Sequence, residues 1–376
     1  MGRLLYVRNT IQPRLNVSDV SLSRFAATLL VIFAFLTTIS LTVNESSGQT
    51  RSSNRTQVRR TIILNVATGP RSQVGSQQRW LEALQDVGAD RVKISTRNKG
   101  TPAIEETKTT RSTIITVTGV VSGNNLILPG GKFKMTDKSG MRELFNRLRD
   151  DGAKVALAEK KAFGLTSEQL VDVHTKLAKT VDFDTAGQKA GDVFKKIKSE
   201  NGLTFLLDEA ATAAFNSEEK VAEEFNGMST GTALAAIARP LGLVMVPNRE
   251  QGKDTVVQII DSRASKENWP IGWPIKAAPV AVEPKLFDKL PIEIRDFKLK
   301  SALDALEKRA GVLFLYDHNT LAREGIELSE VKVTLVQKKG SLLVAISKLL
   351  RQTKPRLAEE IRLDENGKAF LWITVP

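Results

Sequence analysis

The fold is decided by residues 291–317, which read PIEIRDFKLKSALDALEKRAGVLFLYD. A short alternating run comes first, followed by apolar residues at helical spacing, a glycine, and a second apolar run that ends in aspartate. This order predicts a strand, an amphipathic helix and a buried strand. Residues 181–208 carry the same order 109 positions earlier. A fixed offset indicates an internal repeat, and it is the strongest pattern in the sequence.

The two copies share apolar spacing, a glycine and a terminal aspartate. At the offset of 109 the matched residues are Phe183 and Ile292, Val193 and Ala302, Phe194 and Leu303, Ile197 and Leu306, Gly202 and Gly311, Phe205 and Phe314, Leu206 and Leu315, and Asp208 and Asp317. Further along, Gly231, Leu234, Ile237 and Leu241 align with Gly340, Leu343, Ile346 and Leu350. The offset reaches 115 at a closing hairpin, where Gly252-Lys253 matches Gly367-Lys368.

Composition is that of a globular protein with room for two or three domains. The chain has 376 residues, of which 41% are hydrophobic and 26% charged. It contains no cysteine, which excludes disulfides and thiolate metal sites. The formal net charge of +13 is uneven: residues 44–180 contribute +10, residues 181–262 −5 and residues 263–376 +5. A basic surface suits an anionic polymer such as nucleic acid, lipid or wall glycan, but it is also typical of an ordinary solvated surface.

The N-terminus predicts export. Residues 25–43 contain no charge and follow a segment with four arginines and one aspartate, which is typical of a signal peptide or a signal anchor. We therefore assign residues 1–43 to such a signal and leave both alternatives open. If the segment is not cleaved, residues 25–43 hold the chain in a membrane. Residues 44–58 are polar and predict a flexible tether.

A basic α+β domain is predicted over residues 59–178. Its expected elements are strands at 61–66, 91–94, 113–121 and 126–128, and helices at 73–87, from about Ser139 to Gly152, and at 167–178. Residues 97–111 are polar, and we expect a loop there. The last helix either closes this domain or leads into the first repeat.

Each repeat is predicted to be a β-α-β-β-α-β-β module, the first over residues 179–262 and the second over residues 289–376. The first module is expected to have strands at 180–184, 203–207, 221–225, 243–246 and 255–260, with a turn at 209–220. The second is expected to have strands at 291–294, 312–316, 331–336, 357–363 and 369–375. The predicted fold class is therefore α+β.

The first repeat resembles a known family. Residues 203–208 read LTFLLD, the second copy has VLFLYD at 312–317, and residues 226–243 read NGMSTGTALAAIARPLGL. These segments are similar to the short N-terminal domain of secretins and TonB-dependent receptors, and the matches cover residues 180–375. The second repeat keeps Gly340-Ser341-Leu342-Leu343 but departs from the terminal Leu-Gly-Leu. The resemblance implies a periplasmic, non-enzymatic docking module, with no secretin ring or outer-membrane barrel following in this sequence.

A linker at residues 263–288 joins the repeats and is rich in tryptophan and proline. Its prolines favour a stiff connection and disfavour a helix. Trp269 and Trp273 lie four residues apart, and each precedes a proline. They form either a surface that binds a partner protein or a contact that fixes the angle of a neighbouring repeat.

No residue pattern predicts catalysis, a cofactor or a metal. Asp208 and Asp317 end equivalent strands, and we expect each to cap the following short helix. His174 is expected to pack on an apolar helix face, His318 to be exposed, and Gly130-Gly131 to form a turn rather than a phosphate loop. We therefore expect a non-enzymatic protein of the periplasm or cell envelope that acts as an adaptor for other envelope proteins, with no small-molecule substrate. The alternative is a binder of an anionic envelope polymer or nucleic acid through residues 59–178.

Overall fold

The computed structural model describes residues 59–68, 75–96, 101–110 and 112–376. The predicted signal at residues 1–43 and the tether at residues 44–58 lie outside the described residues. In the part of the chain that is described, no helix is long and apolar enough to cross a membrane.

The first region contains one sheet covered by helices. Its strands are β1 (Arg59–Thr68), β2 (Arg91–Ser95), β3 (Ala103–Lys108), β4 (Ser112–Ser122), β5 (Asn125–Leu128) and β6 (Gly131–Lys134). Its helices are α1 (Ser76–Leu84), α2 (Lys138–Asp151) and α3 (Ala153–Ala156), followed by a 3-10 turn (Ala162–Gly164) and α4 (Ser167–Leu177). The strand order is β2-β1-β4-β5-β6. Strand β3 pairs with residues 113–118 of β4, and β5 pairs with residues 120–122 of the same strand. The apolar faces of α1 and α2 cover this sheet and form one core.

The two repeats contain the remaining elements. In the first repeat these are α5 (Ala190–Asn201), β7 (Thr204–Leu207), α6 (Glu209–Phe215), α7 (Thr230–Ala238), β8 (Leu243–Asn248) and β9 (Val256–Asp261). The linker contains β10 (Trp273–Pro274), α8 (Pro279–Val282) and a 3-10 turn (Pro284–Phe287). In the second repeat they are β11 (Lys289–Lys298), α9 (Leu299–Ala310), β12 (Leu313–Tyr316), α10 (His318–Arg323), β13 (Lys332–Ser341), α11 (Leu342–Leu350), β14 (Ala358–Leu363) and β15 (Ala369–Thr374). Helices and mixed sheets confirm the α+β class.

Both repeats contain the same small sheet. In the first repeat the order is β7-β9-β8, and in the second it is β12-β15-β14, with the linker strand β10 added at the edge of β14. The first strand runs parallel to the last one in each sheet, and the closing hairpin is antiparallel. The linker runs along an edge of each sheet. At the first sheet, the Trp269 amide donates to the carbonyl of Met245 in β8 at 2.7 Å. At the second, Trp273 pairs with Leu363 of β14.

Three predictions about the first region and the first repeat are wrong. Residues 97–111 are not all loop, because residues 103–108 form β3 along β4; a polar edge strand is held by backbone pairing and needs little apolar side-chain surface. The predicted strands at 180–184 and 221–225 are also absent. The two segments do lie side by side, but Thr185 and Glu224 hydrogen-bond there through their side chains and interrupt a regular ladder.

The order of elements in the repeats also differs from the prediction. The turn predicted at 209–220 contains helix α6, and α10 occupies the same place in the second repeat, so that repeat is β-α-β-α-β-α-β-β. The second long helices, α7 and α11, correspond at an offset of 112 rather than 109. A shift of three residues is close to one helical turn, so both alignments place apolar residues on nearly the same face. The linker does contain a helix, α8, since proline is tolerated at a first helical position.

Helix α4 packs with the first repeat and not with the first region. Its buried residues Val173 and Leu177 belong to the core that also contains Val193, Phe194 and Leu234. Of the two alternatives left open by the sequence, the structure therefore places α4 on the side of the repeat.

The sheet of the second repeat is buried on both faces. Phe314, Leu371 and Ile373 face the core of their own repeat, whereas Phe370 and Trp372 belong to the core of the first repeat. Continuous apolar strands such as β15 are typical of sheets covered on both sides. The two repeats therefore share a core and cannot be separated without exposing it.

A buried carboxylate joins the two repeats at the start of α7. Glu365, in the hairpin between β14 and β15, accepts hydrogen bonds from the Ser229 hydroxyl and from the Thr232 amide and hydroxyl, the last two at 3.1 and 2.8 Å. Its other oxygen, Oε1, accepts the indole N–H of Trp269 at 2.6 Å. A helix N-terminus favours a negative charge, because its first amide groups lack partners within the helix.

The Glu365→Gln substitution is expected to lower the free energy of unfolding by about 1–3 kcal/mol, because it removes the charge and directs an amide donor at other donors. Urea unfolding of the full-length chain measures this change. Glu330→Gln, at a side chain 75% exposed, is the control and should change stability little. An equal effect of both substitutions would contradict this role of Glu365.

Helices α5 and α6 of the first repeat pack closely at Gly191. A Cβ atom at Gly191, in α5, would lie 1.9 Å from the carbonyl oxygen of Phe215 at the end of α6. Gly191→Ala should therefore lower the free energy of unfolding by about 1–3 kcal/mol, although alanine favours helix. Thermal unfolding checks this, with Ser199→Ala on the exposed side of α5 as control. A stabilised Gly191→Ala protein would show that α5 and α6 are not in such close contact.

Candidate functional site

A predominantly apolar groove of about 660 Å³ lies between the linker and α4. We call it the aromatic groove. Its lining residues are Ala162, Phe163, Leu170, Val171, His174, Glu267, Asn268, Trp269, Pro270 and Trp273. A cavity of this size and apolarity is typical of a binding site for a small molecule or a short peptide segment.

The four rings of the groove form one connected set of ring contacts. Trp269 and Trp273 meet edge to face with centroids 5.4 Å apart, and Phe163 stacks on Trp269 at 6.2 Å. The His174 ring lies 6.3 Å from Trp269 and 5.8 Å from Trp273. Edge-to-face and stacked contacts of this kind are favourable, so the rings support one another as a wall.

The two tryptophans differ in exposure. Trp269 is only 3% exposed and stands behind the groove, with its N–H bound to Glu365. Trp273 is half-buried, and among the described residues its Nε1 atom has no hydrogen-bond partner. Trp269 therefore fixes the linker on both repeats. Trp273 contributes to an open wall, and partner binding at this pair stays a prediction.

The backbone of Phe163 shapes one end of the groove. Phe163 adopts φ 58° and ψ 18°, a left-handed conformation that costs energy in a residue other than glycine. Its amide donates to the carboxylate of Glu267 at 2.7 Å, which holds this conformation in place. Among the described residues that line the groove, Glu267 is the acidic one. On α4, Val171 is 65% exposed and extends the apolar wall towards solvent.

Asp208 and Asp317 act as the sequence predicts. Asp208 accepts the Ala211 amide at 2.7 Å and caps α6, and Asp317 accepts the Thr320 amide at 3.3 Å and caps α10. Asp317 has a further partner that sequence reasoning missed, the Arg239 guanidinium, which binds it through two hydrogen bonds of 2.8 and 2.7 Å across the repeats. Burial opposes its ionisation, but the bonds from Arg239 and Thr320 outweigh this and lower the pKa of Asp317.

The two histidines belong to different contacts. His174 packs against the rings of the groove, as expected for a histidine on an apolar helix face. His318 is not freely exposed as predicted; its side chain is 37% exposed and bonds to Glu223 of the first repeat. The hydrogen bond to Glu223 raises the pKa of His318 against the opposing effect of burial. Gly130 lies in the predicted turn between β5 and β6, and Gly131 is the first residue of β6.

In the described residues, no group of three or more His, Asp or Glu side chains could hold a metal ion. Glu307 and Tyr316 have raised pKa values because both are buried. Neither residue lines the aromatic groove. The groove therefore offers apolar surface and a few polar atoms, which suits binding.

No family model, curated protein or solved structure matches this chain.

The contact between His318 and Glu223 predicts a pH dependence of stability. Because the folded-state pKa of His318 is raised, the pair stabilises the fold fully below about pH 6.5 and loses this contribution as the pH rises through the folded-state value. Since the pair is partly exposed, its contribution should stay below about 1 kcal/mol. The loss of stability caused by Glu223→Gln should thus be larger at about pH 6 than at about pH 8.5.

Chemical denaturation at the two pH values measures this difference. Glu330→Gln is again the control and should give the same small change at both. A Glu223→Gln effect that is independent of pH would show that protonation of His318 does not strengthen this contact.

Proposed function

We propose that this chain is a non-enzymatic adaptor of the cell envelope that docks another protein through the aromatic groove. The proposal follows the resemblance of residues 180–375 to the short N-terminal domain of secretins and TonB-dependent receptors. It also follows from the export signal predicted at residues 1–43. The single observation that supports it best is the groove itself, an open apolar surface beside the joint of the two repeats.

The chemistry of the groove favours protein binding over catalysis. Its exposed wall consists of Val171, Leu170, Phe163 and the open side of Trp273. Exposed apolar surface of this kind gains free energy when a partner covers it. Aromatic side chains concentrated at one place are also typical of the residues that dominate protein–protein binding energy.

The joint between the repeats would make the groove a rigid receptor. Glu365, Arg239 and His318 each contribute a contact between the repeats, and Trp269 is bound to the first of these residues. A wall that is already ordered loses little conformational entropy when a partner binds. This supports docking of a preformed surface without rearrangement of the fold.

An anionic polymer is the second candidate partner. It is favoured by the charge of residues 44–180, which contain 23 Lys and Arg against 13 Asp and Glu. Counterion release makes polymer binding by such a region strongly dependent on salt, whereas docking in an apolar groove depends on it weakly.

Crosslinked affinity capture from envelope fractions tests the proposal. We expect the full-length chain to retain a specific protein at both low and moderate salt. Val171→Arg, which places a charge on the groove wall, should reduce retention at least about tenfold, equivalent to about 1.4 kcal/mol of binding free energy. Val336→Arg is the matched control, since Val336 is 58% exposed on β13, away from the groove residues.

Two results would count against the proposal. Retention that disappears at moderate salt and is insensitive to Val171→Arg would favour the anionic polymer. Retention lost in Val336→Arg but kept in Val171→Arg would move the docking surface to the second repeat.

A further inference from the structure

The sheet of the first region is covered by helices on one face only. Helices α1 and α2 pack on the face that carries Ile62, Leu64 and Val117. The side chains that alternate with these along the strands lie on the other face, which we call the open face, and they are half-buried or exposed except for Ala67. The residues of the open face are Arg59, Thr61, Ile63, Asn65 and Ala67 on β1, Arg91, Lys93 and Ser95 on β2, Glu105 and Thr107 on β3, Ile114, Thr116, Thr118 and Val120 on β4, Asn125 and Ile127 on β5, and Lys132 and Lys134 on β6.

Cations border the open face at both ends of the strand order. Arg91 and Lys93 lie on β2, Lys132 and Lys134 lie on β6, and all four side chains are exposed. Four strand spacings separate β2 from β6, so the two pairs of cations are about 19 Å apart. Among the described residues of this face, Glu105 is the carboxylate that opposes them. The open face therefore has a net positive charge.

The fold does not use these four cations. On the covered face, the Arg60 guanidinium donates to two carbonyl oxygens at the end of α2, both at 2.9 Å, and so stabilises the packing of that helix. By contrast, the side chains of Arg91, Lys93, Lys132 and Lys134 form no hydrogen bond or ion pair with any described residue. Their charges are therefore available to an anionic partner.

The shape and chemistry of the open face argue against nucleic acid and protein. None of its described residues is aromatic, so the face cannot stack the bases of a single strand. The major groove of a duplex is about 12 Å wide and admits a helix or a two-stranded ribbon, whereas this sheet is five strands across. The apolar side chains of the face, such as Ile63 and Ile114, are half-buried within the sheet and provide no anchor for a protein interface.

A membrane surface with anionic lipids fits the open face better. Lipid headgroups form a broad layer of mobile charge, so they require neither a groove nor a fixed spacing between cations, and they attract basic residues near the surface. The length of chain before the sheet points to the same partner. The predicted tether of residues 44–58 leads into Arg59, a fifth exposed cation of the open face, and its fifteen residues span at most about 50 Å. An anchor at residues 25–43 would thus keep the face within reach of lipid.

We propose that the open face docks on the anionic headgroups of a lipid surface, with Arg91 and Lys93 at one border and Lys132 and Lys134 at the other. The exposed side chains are cationic or polar, so the sheet lies on the headgroups and does not enter the hydrocarbon core. Because the cations are exposed to solvent, salt weakens the attraction. This inference goes beyond protein docking in the aromatic groove and does not depend on it.

Lysine labelling of the full-length chain reconstituted in vesicles tests the inference. Residues 25–43 can hold the chain on any vesicle, so the readout is the labelling rate of individual lysines and not binding. Vesicles of phosphatidylglycerol and phosphatidylcholine should protect Lys93, Lys132 and Lys134 at least about fivefold relative to phosphatidylcholine alone, and moderate salt should remove this protection. Lys154, in α3 on the covered side, is 76% exposed and should be labelled equally in both. Equal labelling of the three open-face lysines in the two vesicles would overturn the inference, as would equal protection of Lys154.

Charge reversal tests whether both borders meet one surface. Lys132→Glu should reduce the protection of Lys93, on the opposite border, at least about twofold, because both cations contribute to one attraction. Lys154→Glu is the matched control and should leave the protection of Lys93 unchanged. If Lys132→Glu also leaves it unchanged, in a protein with wild-type unfolding, the two borders do not face the same surface and the inference is wrong.

Soluble polymers and a groove variant distinguish the lipid surface from other partners. A DNA duplex or polygalacturonate, added to the chain in neutral detergent at the same concentration of anionic groups, should protect the open-face lysines less than the vesicles do. Stronger protection by either polymer would assign the open face to that polymer and overturn the lipid assignment. Val171→Arg, which changes the aromatic groove, should leave the lysine protection intact. Loss of protection in this variant, with wild-type unfolding, would place the membrane contact at the groove and overturn the inference.

Discussion

The structure of the repeats depends on one buried carboxylate. Glu365 is placed among neutral donors, and its charge is stabilised by hydrogen bonds and by the N-terminus of α7 rather than by a basic side chain. Such an arrangement requires the hairpin to approach the helix closely. A Cβ atom at Gly231 would lie 2.4 Å from Glu365 Oε1, so glycine at this position is what allows the contact. The same carboxylate orients Trp269, and through it the linker and the wall of the groove.

Because of this contact between Glu365 and α7, the two repeats are not independent modules. Two independent modules would each bury one face of their sheets and present the other face to solvent. Here the first repeat keeps an exposed Leu206 on its sheet, whereas the equivalent Leu315 is buried in the shared core. The groove is consequently a product of three parts of the chain: α4 supplies one wall, the linker the other, and the second repeat holds the linker in position.

Local patterns in the sequence predicted most helices and strands because apolar periodicity reports which face of an element is buried. The capping roles of Asp208 and Asp317 were also predictable from the sequence, because each cap bonds the amide of a residue only three positions away. The failures have a different origin. Strand β3 is polar and depends on pairing with β4, and the break near Thr185 depends on Glu224, a residue 39 positions away. Trp269 and Trp273 stood out in the sequence. The other residues of the aromatic groove, Phe163, Val171 and His174, come from α4 and the 3-10 turn before it, and no local pattern connects them to the linker. A signal was present in β15, where a continuous apolar run indicates burial on both faces.

The closing hairpins show why a repeated motif does not carry a repeated function. Residues 250–253 read EQGK and residues 365–368 read ENGK, so each hairpin contains an equivalent glutamate. Glu365 is buried against α7, whereas Glu250 is 67% exposed and pairs with Lys253 within its own turn. The difference lies in what faces the hairpin. At the offset of 112, Leu343 of α11 occupies the position of Gly231, and a leucine there would exclude a carboxylate from the helix N-terminus. A hairpin glutamate therefore could not dock at the start of α11 as Glu365 docks at the start of α7. The duplicated sequence specifies the module, but the substitutions between copies determine where the modules join and where a surface is left for a partner.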